Sequence, residues 1–357
     1  MQWSVYCRVV DNYGDIGVAW RLAVDLGSRG EHVRLVVDDA SALAWMAPGG
    51  ARNVEVVAWD ADIAADGDVW VETFGCGWSK AATMRLEAMP RPPLCIDLEH
   101  LSAEAFVARS HGLPLPRFSA AGDAIPTWFY YPGFDAFSGG LLREPGLLSR
   151  RRAFGDGRAW LAGRGIERGA GERCVSLFCY PNPALEGVLQ ELGDRPTLLL
   201  LTPGPATTQA EALLARGVGA GRLRAIRLPA LPQREFDLLL WSTDLNFVRG
   251  EDSLVRAIWA GVPFVWQAYP QHDGAHVAKV EAFLAAFLIG APDEVGIPVR
   301  DLFARWNGLR APDPATATGL QVALATAWAG HCKRRCNQFA ARPDLCTGLL
   351  RFVASKR

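Results

Sequence analysis

The residues of this chain best equipped for chemistry include two aspartates on a short glycine-punctuated segment near its start. In Asp11-Asn12-Tyr13-Gly14-Asp15-Ile16-Gly17 the two carboxylates stand four positions apart. Acids so placed can hold a cationic group and accept a proton from it. Their negative charge argues against a phosphate at this point, and without a G-x-G-x-x-G pattern the segment does not read as a dinucleotide cradle. A second reading uses the same residues. Asp and Asn are favoured in turns and at helix caps, where their short side chains bond nearby backbone N–H groups. The residues alone leave both readings open.

A second constellation is Arg249-Gly250-Glu251-Asp252-Ser253, followed by the helical run LVRAIWA and the turn Ala260-Gly261-Val262-Pro263. A strand, a glycine turn and a helix start can offer backbone N–H groups and the positive end of a helix dipole to a diphosphate. Arg249 adds a fixed cation with bidentate geometry. The alternative is an ordinary helix start whose acids stabilise the first turn. Phe178, Tyr180, Gln233, Phe236 and Tyr269 fall at predicted strand ends or loops. Such aromatics can stack on a nucleobase while Gln reads its polar edge, or they can be core.

Two histidine sets invite a metal reading. His272 and His276 stand four apart, without the glutamate of an H-E-x-x-H motif. His331 precedes Cys332 and Cys336, yet no second ligand pair has zinc spacing. The eight cysteines therefore read as structural thiols, and no metal is expected.

These residues need elements to position them. Strand-like runs at 4–10, 33–37, 54–57, 69–74 and 94–97 alternate with helical spacing, which implies parallel βαβ units. A second series has strands expected at 174–179, 197–201, 223–228, 245–248 and 263–266. The division expected is a first Rossmann-like domain over 1–150, a linker over 151–172, a second Rossmann-like domain over 173–314, and a helical tail over 315–357 that returns to the first domain. The arginine run 150–152 reads as solvated linker. Ligands of doubly wound sheets bind beyond the carboxyl ends of the strands, here toward an inter-domain cleft.

Composition sets outer limits. Of 357 residues, 50% are hydrophobic and 21% charged, enough for two cores, which excludes a disordered or collagen-like chain. A net charge of -1 gives no bulk attraction to nucleic acid. With no signal-peptide pattern and no apolar run of about 18 residues, no membrane association is expected and the protein reads as cytoplasmic.

Taken in order, DNYGDIGV at 11–18, FYYPGF at 129–134, GGLLREP at 139–145, FCYPN at 178–182 and RGEDSLVRA at 249–257 resemble the EarP family of protein-arginine rhamnosyltransferases. The resemblance implies a GT-B fold, an α/β architecture of two doubly wound domains. It also implies inverting transfer of L-rhamnose from dTDP-β-L-rhamnose to an arginine of elongation factor P. By position, Asp15 is similar to the family's general base, Asp11 to its companion acid and Glu251 to its essential glutamate. Arg249, Gly250, Asp252 and Ser253 match donor contacts, and Phe178, Tyr180, Gln233, Phe236 and Tyr269 match the nucleotide pocket. Asn12, Tyr13, Gly14 and Gly17 shape the acidic turn. Ala230 departs from the pattern, since an aromatic is expected there.

Two rival readings fit parts of this pattern. One is a GT-B transferase acting on a lipid or small glycoside, or using another deoxy-sugar nucleotide; it explains the second domain but not the paired acids. The other is a non-catalytic translation-factor binding protein with a vestigial nucleotide site, which the retained Asp11, Asp15 and Glu251 disfavour.

Overall fold

A computed structural model of the chain describes residues 1–11, 13–61, 67–89, 91–119, 122–271, 274–310 and 318–357. Asn12 and His272 lie outside the described residues. The chain divides into two compact units, Met1–Leu147 with Phe339–Arg357, and Leu148–Gln338.

In the first unit, strands β1 (Gln2–Cys7), β2 (His32–Val37), β3 (Val54–Ala58), β4 (Val69–Thr73), β5 (Leu94–Leu98) and β6 (Thr127–Tyr130) form one sheet. All pairings are parallel, in the order β3-β2-β1-β4-β5-β6. The order reverses direction beside β1, so the loop leaving β1 stands at the switch point where such sheets bind ligands. Side chains of β1 alternate between faces. Trp3, Val5 and Cys7 enter one core, with Ile16, Ala19, Leu22 and Leu26 of the helix Gly14–Ser28. Tyr6 enters the opposite core with Trp59, Trp70 and Cys95. Burial on both faces is what a parallel sheet requires.

The helix Leu345–Lys356 completes the first of these cores with Leu345, Cys346, Leu349 and Val353. Arg29 fastens its start, donating to Asp25 and Asp344 at 2.7 Å each and to the Thr347 hydroxyl at 2.7 Å. Asp344 also caps the helix by accepting from the Thr347 N–H at 2.8 Å.

In the second unit, β7 (Arg173–Leu177), β8 (Thr197–Leu201), β9 (Leu223–Arg227), β10 (Leu245–Arg249) and β11 (Phe264–Gln267) pair in parallel in the order β11-β10-β7-β8-β9. The switch point here lies between β7 and β10, the strands that precede Phe178–Asn182 and Gly250–Ser253. A bidentate ion pair, Arg256 to Asp237 at 2.7 and 2.6 Å, ties the helix Gly250–Ala260 to the helix Gln233–Trp241. Both side chains are buried.

The structure corrects several expectations. The segment 151–172 is not a free linker. It holds the helix Gly157–Ala162, and Leu161 and Ile166 are buried against Cys174, Leu198 and Leu239. Arg151 is not simply solvated, because it donates to the Ala260 carbonyl at 3.0 Å, at a helix end that favours cations. The early part of the tail belongs with the second unit, where Leu320, Ala323 and Trp328 are buried. Trp328 meets Phe287 edge-on at 5.9 Å and stacks on His331 at 5.3 Å. Of the described tail residues, those from Phe339 onward are grouped with the first unit. The helices Ala275–Phe287 and Asp293–Trp306 and the strand β6 were not foreseen; Pro298 inside the helix Asp293–Trp306 disguises it as a break.

Candidate active site

Asp15 occupies the first turn of the helix Gly14–Ser28 and is buried. Its Oδ2 accepts from the Val10 N–H at 2.8 Å and the Asp11 N–H at 2.9 Å. The carboxylate is thereby held in one orientation by the loop that follows β1. The turn closes on itself through Gly14 N–H to the Asp11 carbonyl at 2.6 Å and Gly17 N–H to the Tyr13 carbonyl at 3.0 Å. The Asp11 carboxylate lies across Gly14, where an added Cβ would stand 2.8 Å from its Oδ2. A methyl group at this position would have to displace that carboxylate, while the backbone conformation itself makes no demand for glycine. Tyr13 rests edge-on against Trp45 at 5.0 Å.

Beside this turn is a cavity of about 410 Å³ lined by Arg8, Val9, Val10, Asp38, Ala58, Trp59 and Asp60. Val10 thus serves both features, its N–H held by Asp15 and the residue 80% exposed. Farther along the same sheet edge, Glu72 on β4 is in register with Asp97 on β5. Burial, then the charges of Glu72 and Glu99, push the Asp97 carboxyl up to about 7. Glu72 itself is ion-paired with Arg117. Sequence reading did not single out this group, because its members come from separate strands with no common motif.

In the second unit the expected donor residues converge. Arg249, buried at the end of β10, holds its guanidinium 4.3 Å from the Tyr180 ring centre and 4.8 Å from that of Phe178. Phe236 meets Phe178 edge-on at 5.5 Å, and Tyr269 meets Tyr180 edge-on at 5.5 Å. The result is an aromatic group assembled from the loops after β7 and β11 and the helix Gln233–Trp241, with a cation at its centre. Gln233 opens that helix. Tyr269 is 48% exposed, so the group is open on one side.

The helix start after β10 is shaped by two groups. Gly250 takes φ +62°, a left-handed conformation that glycine adopts without strain, and its carbonyl accepts from Trp266 Nε1 at 2.8 Å. The Ser253 hydroxyl accepts from the Arg249 N–H at 2.9 Å and donates back to the Arg249 carbonyl. Glu251 and Asp252 lie in the first turn, where the helix dipole favours acids. Two supports were missed by sequence reasoning. Gln267 Oε1 accepts from the Tyr180 N–H at 3.0 Å, joining β11 to the aromatic loop. Lys279 Nζ donates to Glu251 Oε1 at 2.8 Å. Twenty-eight positions separate this pair, and only the approach of two helices reveals it. Ala230 is exposed at the end of the β9 loop.

The histidine and cysteine sets find other uses. His331 Nε2 pairs with the Phe287 carbonyl at 2.8 Å, and His276 Nδ1 accepts from the Gln271 N–H at 3.2 Å. Cys332 and Cys336 are buried free thiols, and burial pushes the Cys332 thiol far above its ordinary value. Among the described residues no group of three or more His, Cys, Asp or Glu side chains is arranged to hold a metal, and no helix is long and apolar enough to cross a membrane.

Comparison with known proteins places this geometry in a family. The chain is 40% identical to a protein-arginine rhamnosyltransferase of Pseudomonas aeruginosa, over 99% of this chain and 98% of that one. It superposes with a TM-score of 0.71 and 31% identity, across 100% of its length and 99% of the other, on a structure that describes EarP-mediated arginine glycosylation of translation elongation factor EF-P. MurG of Acinetobacter baumannii matches with a TM-score of 0.54 at 13% identity, over 99% of each chain, a likeness of fold alone. The fold is GT-B, built from two parallel-sheet α/β domains. The family of elongation factor P rhamnosyltransferases, EarP, matches residues 3–354, and the chain belongs to it.

Proposed function

We propose that this protein transfers L-rhamnose, with inversion, from dTDP-β-L-rhamnose to one arginine side chain of elongation factor P, without a metal cofactor. The observation that carries the reading is the division of labour between two switch points: in one unit a carboxylate held by two loop amides with a second acid beside Gly14, and in the other an aromatic-lined cation beside a helix start. In that reading the base of the donor stacks among Phe178, Phe236, Tyr180 and Tyr269, with Gln233 at its polar edge. Arg249, the amides near Gly250, Asp252 and Ser253 serve the diphosphate and ribose.

The acceptor guanidinium is protonated at ordinary pH and is a poor nucleophile. Asp11 and Asp15 orient it, and Asp15 takes one N–H proton as that nitrogen attacks the anomeric carbon. The bond from that carbon to the diphosphate oxygen breaks, and dTDP departs with the electron pair. Positive charge from Arg249 and the helix start stabilises the leaving group, the service a divalent cation would otherwise provide. One displacement inverts the centre, so no enzyme nucleophile is required. Glu251 stands beside the donor. Neither a nucleic acid nor a membrane takes part, and the reaction is placed in the cytoplasm.

The test is the intact mass of elongation factor P after incubation with the protein, dTDP-β-L-rhamnose and EDTA. A single added deoxyhexose, mapped to an arginine, is the expected result. An unmodified factor, or modification that requires added magnesium or manganese, would overturn the reading.

A further inference from the structure

The helix start after β10 poses an electrostatic problem. If a diphosphate sits there, as the proposed function requires, the first turn brings two carboxylates, Glu251 and Asp252, up to it beside Arg249. A dianionic or trianionic ligand would be repelled by an uncompensated glutamate at short range in a half-buried setting.

The structure supplies a compensating charge from another element. The helix Ala275–Phe287 brings Lys279 Nζ to 2.8 Å from Glu251 Oε1. The side chains are 24% and 15% exposed, respectively, so the pair is partly shielded from solvent. The helix is anchored by buried Val280, Phe283, Leu284 and Phe287; Phe283 meets Phe264 of β11 and Trp266, and Phe287 meets Phe264. Trp266 in turn donates to the Gly250 carbonyl. The lysine is thus delivered by a rigid element that is itself tied to the glycine turn it serves.

We propose that Lys279 is a positioning residue for Glu251. It cancels the glutamate's charge beside the diphosphate and fixes its carboxylate, so that the second oxygen can face a donor hydroxyl without repelling the leaving group. This rests on the donor site proposed above, but not on the identity of sugar or acceptor.

The experiment is therefore the affinity of dTDP for the full chain, measured by calorimetry with EDTA present. Lys279→Met should weaken dTDP about tenfold, and Lys279→Arg by less than about threefold. The discriminating variant is Lys279→Met combined with Glu251→Gln. Removing both charges should restore affinity to within about threefold of the unmodified chain, which a lysine that merely supports the fold would not do. Unchanged affinity in Lys279→Met, or a loss that persists undiminished in the double variant, overturns the proposal. If the unmodified chain binds dTDP but leaves elongation factor P unaltered, the proposed reaction fails while the role of Lys279 is still decided by these affinities.

Discussion

The loop after β1 and the loop after β10 occupy equivalent places, each at the switch point of a parallel sheet and each leading directly into a helix. They are built in opposite ways. In the first, an acid on the helix turns back and is gripped by the N–H groups of its own loop, Asp15 holding Val10 and Asp11. In the second, a hydroxyl closes the turn, Ser253 holding Arg249, while the arginine side chain is set between aromatic rings. One construction fixes a negative charge and the other a positive one. The same fold element can therefore be specialised for a cationic acceptor or an anionic donor by the few residues at the strand end, and fold alone does not decide which.

The largest expected effect separates the two loops by kind. Asp15→Asn retains an oxygen for the Val10 and Asp11 amides but removes the charge and the basic site. Turnover should fall by about 10²–10⁴-fold with dTDP affinity nearly unchanged. A folded variant with ordinary turnover would shift the base to Asp11 or Glu251. Loss of folding would leave Asp15 as a purely structural acid.

The second unit's support can be broken without touching the residues proposed to hold the donor. Asp237→Ala removes the carboxylate that the buried Arg256 grips through two bonds, and should cost about 3–5 kcal/mol in urea unfolding followed by circular dichroism. A loss under 1 kcal/mol would mean that the two helices are held together by apolar packing alone. For the positive loop, Arg249→Ala should weaken dTDP by about 1.5–3 kcal/mol in calorimetry with EDTA, with the fold intact. An unchanged affinity would make Arg249 a structural cation of the aromatic group.

A smaller effect distinguishes the first sheet by pH. Asp97 binds its proton up to about pH 7 when folded, against an ordinary value of 3.8. The folded state therefore holds a proton that the unfolded chain has already released. The resulting penalty is absent below the unfolded value, grows as pH rises, and is complete above about 7. Asp97→Asn should raise stability at pH 8 by about 1–2 kcal/mol and change little at pH 4. Equal stabilisation at both values would contradict this account. Least in size, Gly14→Ala should displace the Asp11 carboxylate and slow turnover about tenfold at unchanged melting temperature. Normal turnover would show that Asp11 tolerates the shift.

Most of the sheet strands were legible in the sequence because β-branched and apolar runs such as TLLLL at 197–201 stand between helical stretches, and a parallel sheet buries such strands completely. β6, TWFY at 127–130, runs into FYYPGF, whose aromatics and proline read as motif rather than strand. The tail was misread because its first half and its last helix are both apolar on one face. Nothing local says that Trp328 seeks Phe287 while Leu349 and Val353 seek the first core. The local geometry of the candidate site was legible where its residues are contiguous, as in the strand end and helix start of Arg249–Ser253. It was not legible where a partner arrives from a distant helix, as Lys279 does for Glu251, or where register across strands sets the effect, as Glu72 does for Asp97.

The helix Leu345–Lys356 has a consequence for the order in which this chain acquires its structure. The first core is sealed by Cys346, Leu349 and Val353, which follow the whole of Leu148–Gln338 in the chain. A ribosome making the protein emits the first sheet early, yet the part of its apolar face that the helix Leu345–Lys356 covers must wait until the second unit has been synthesised. The second unit has all its elements in one continuous stretch and can complete itself first. The acid-bearing unit, although translated first, is thus the later to mature, and its exposed face in the interval is where a holding chaperone would act.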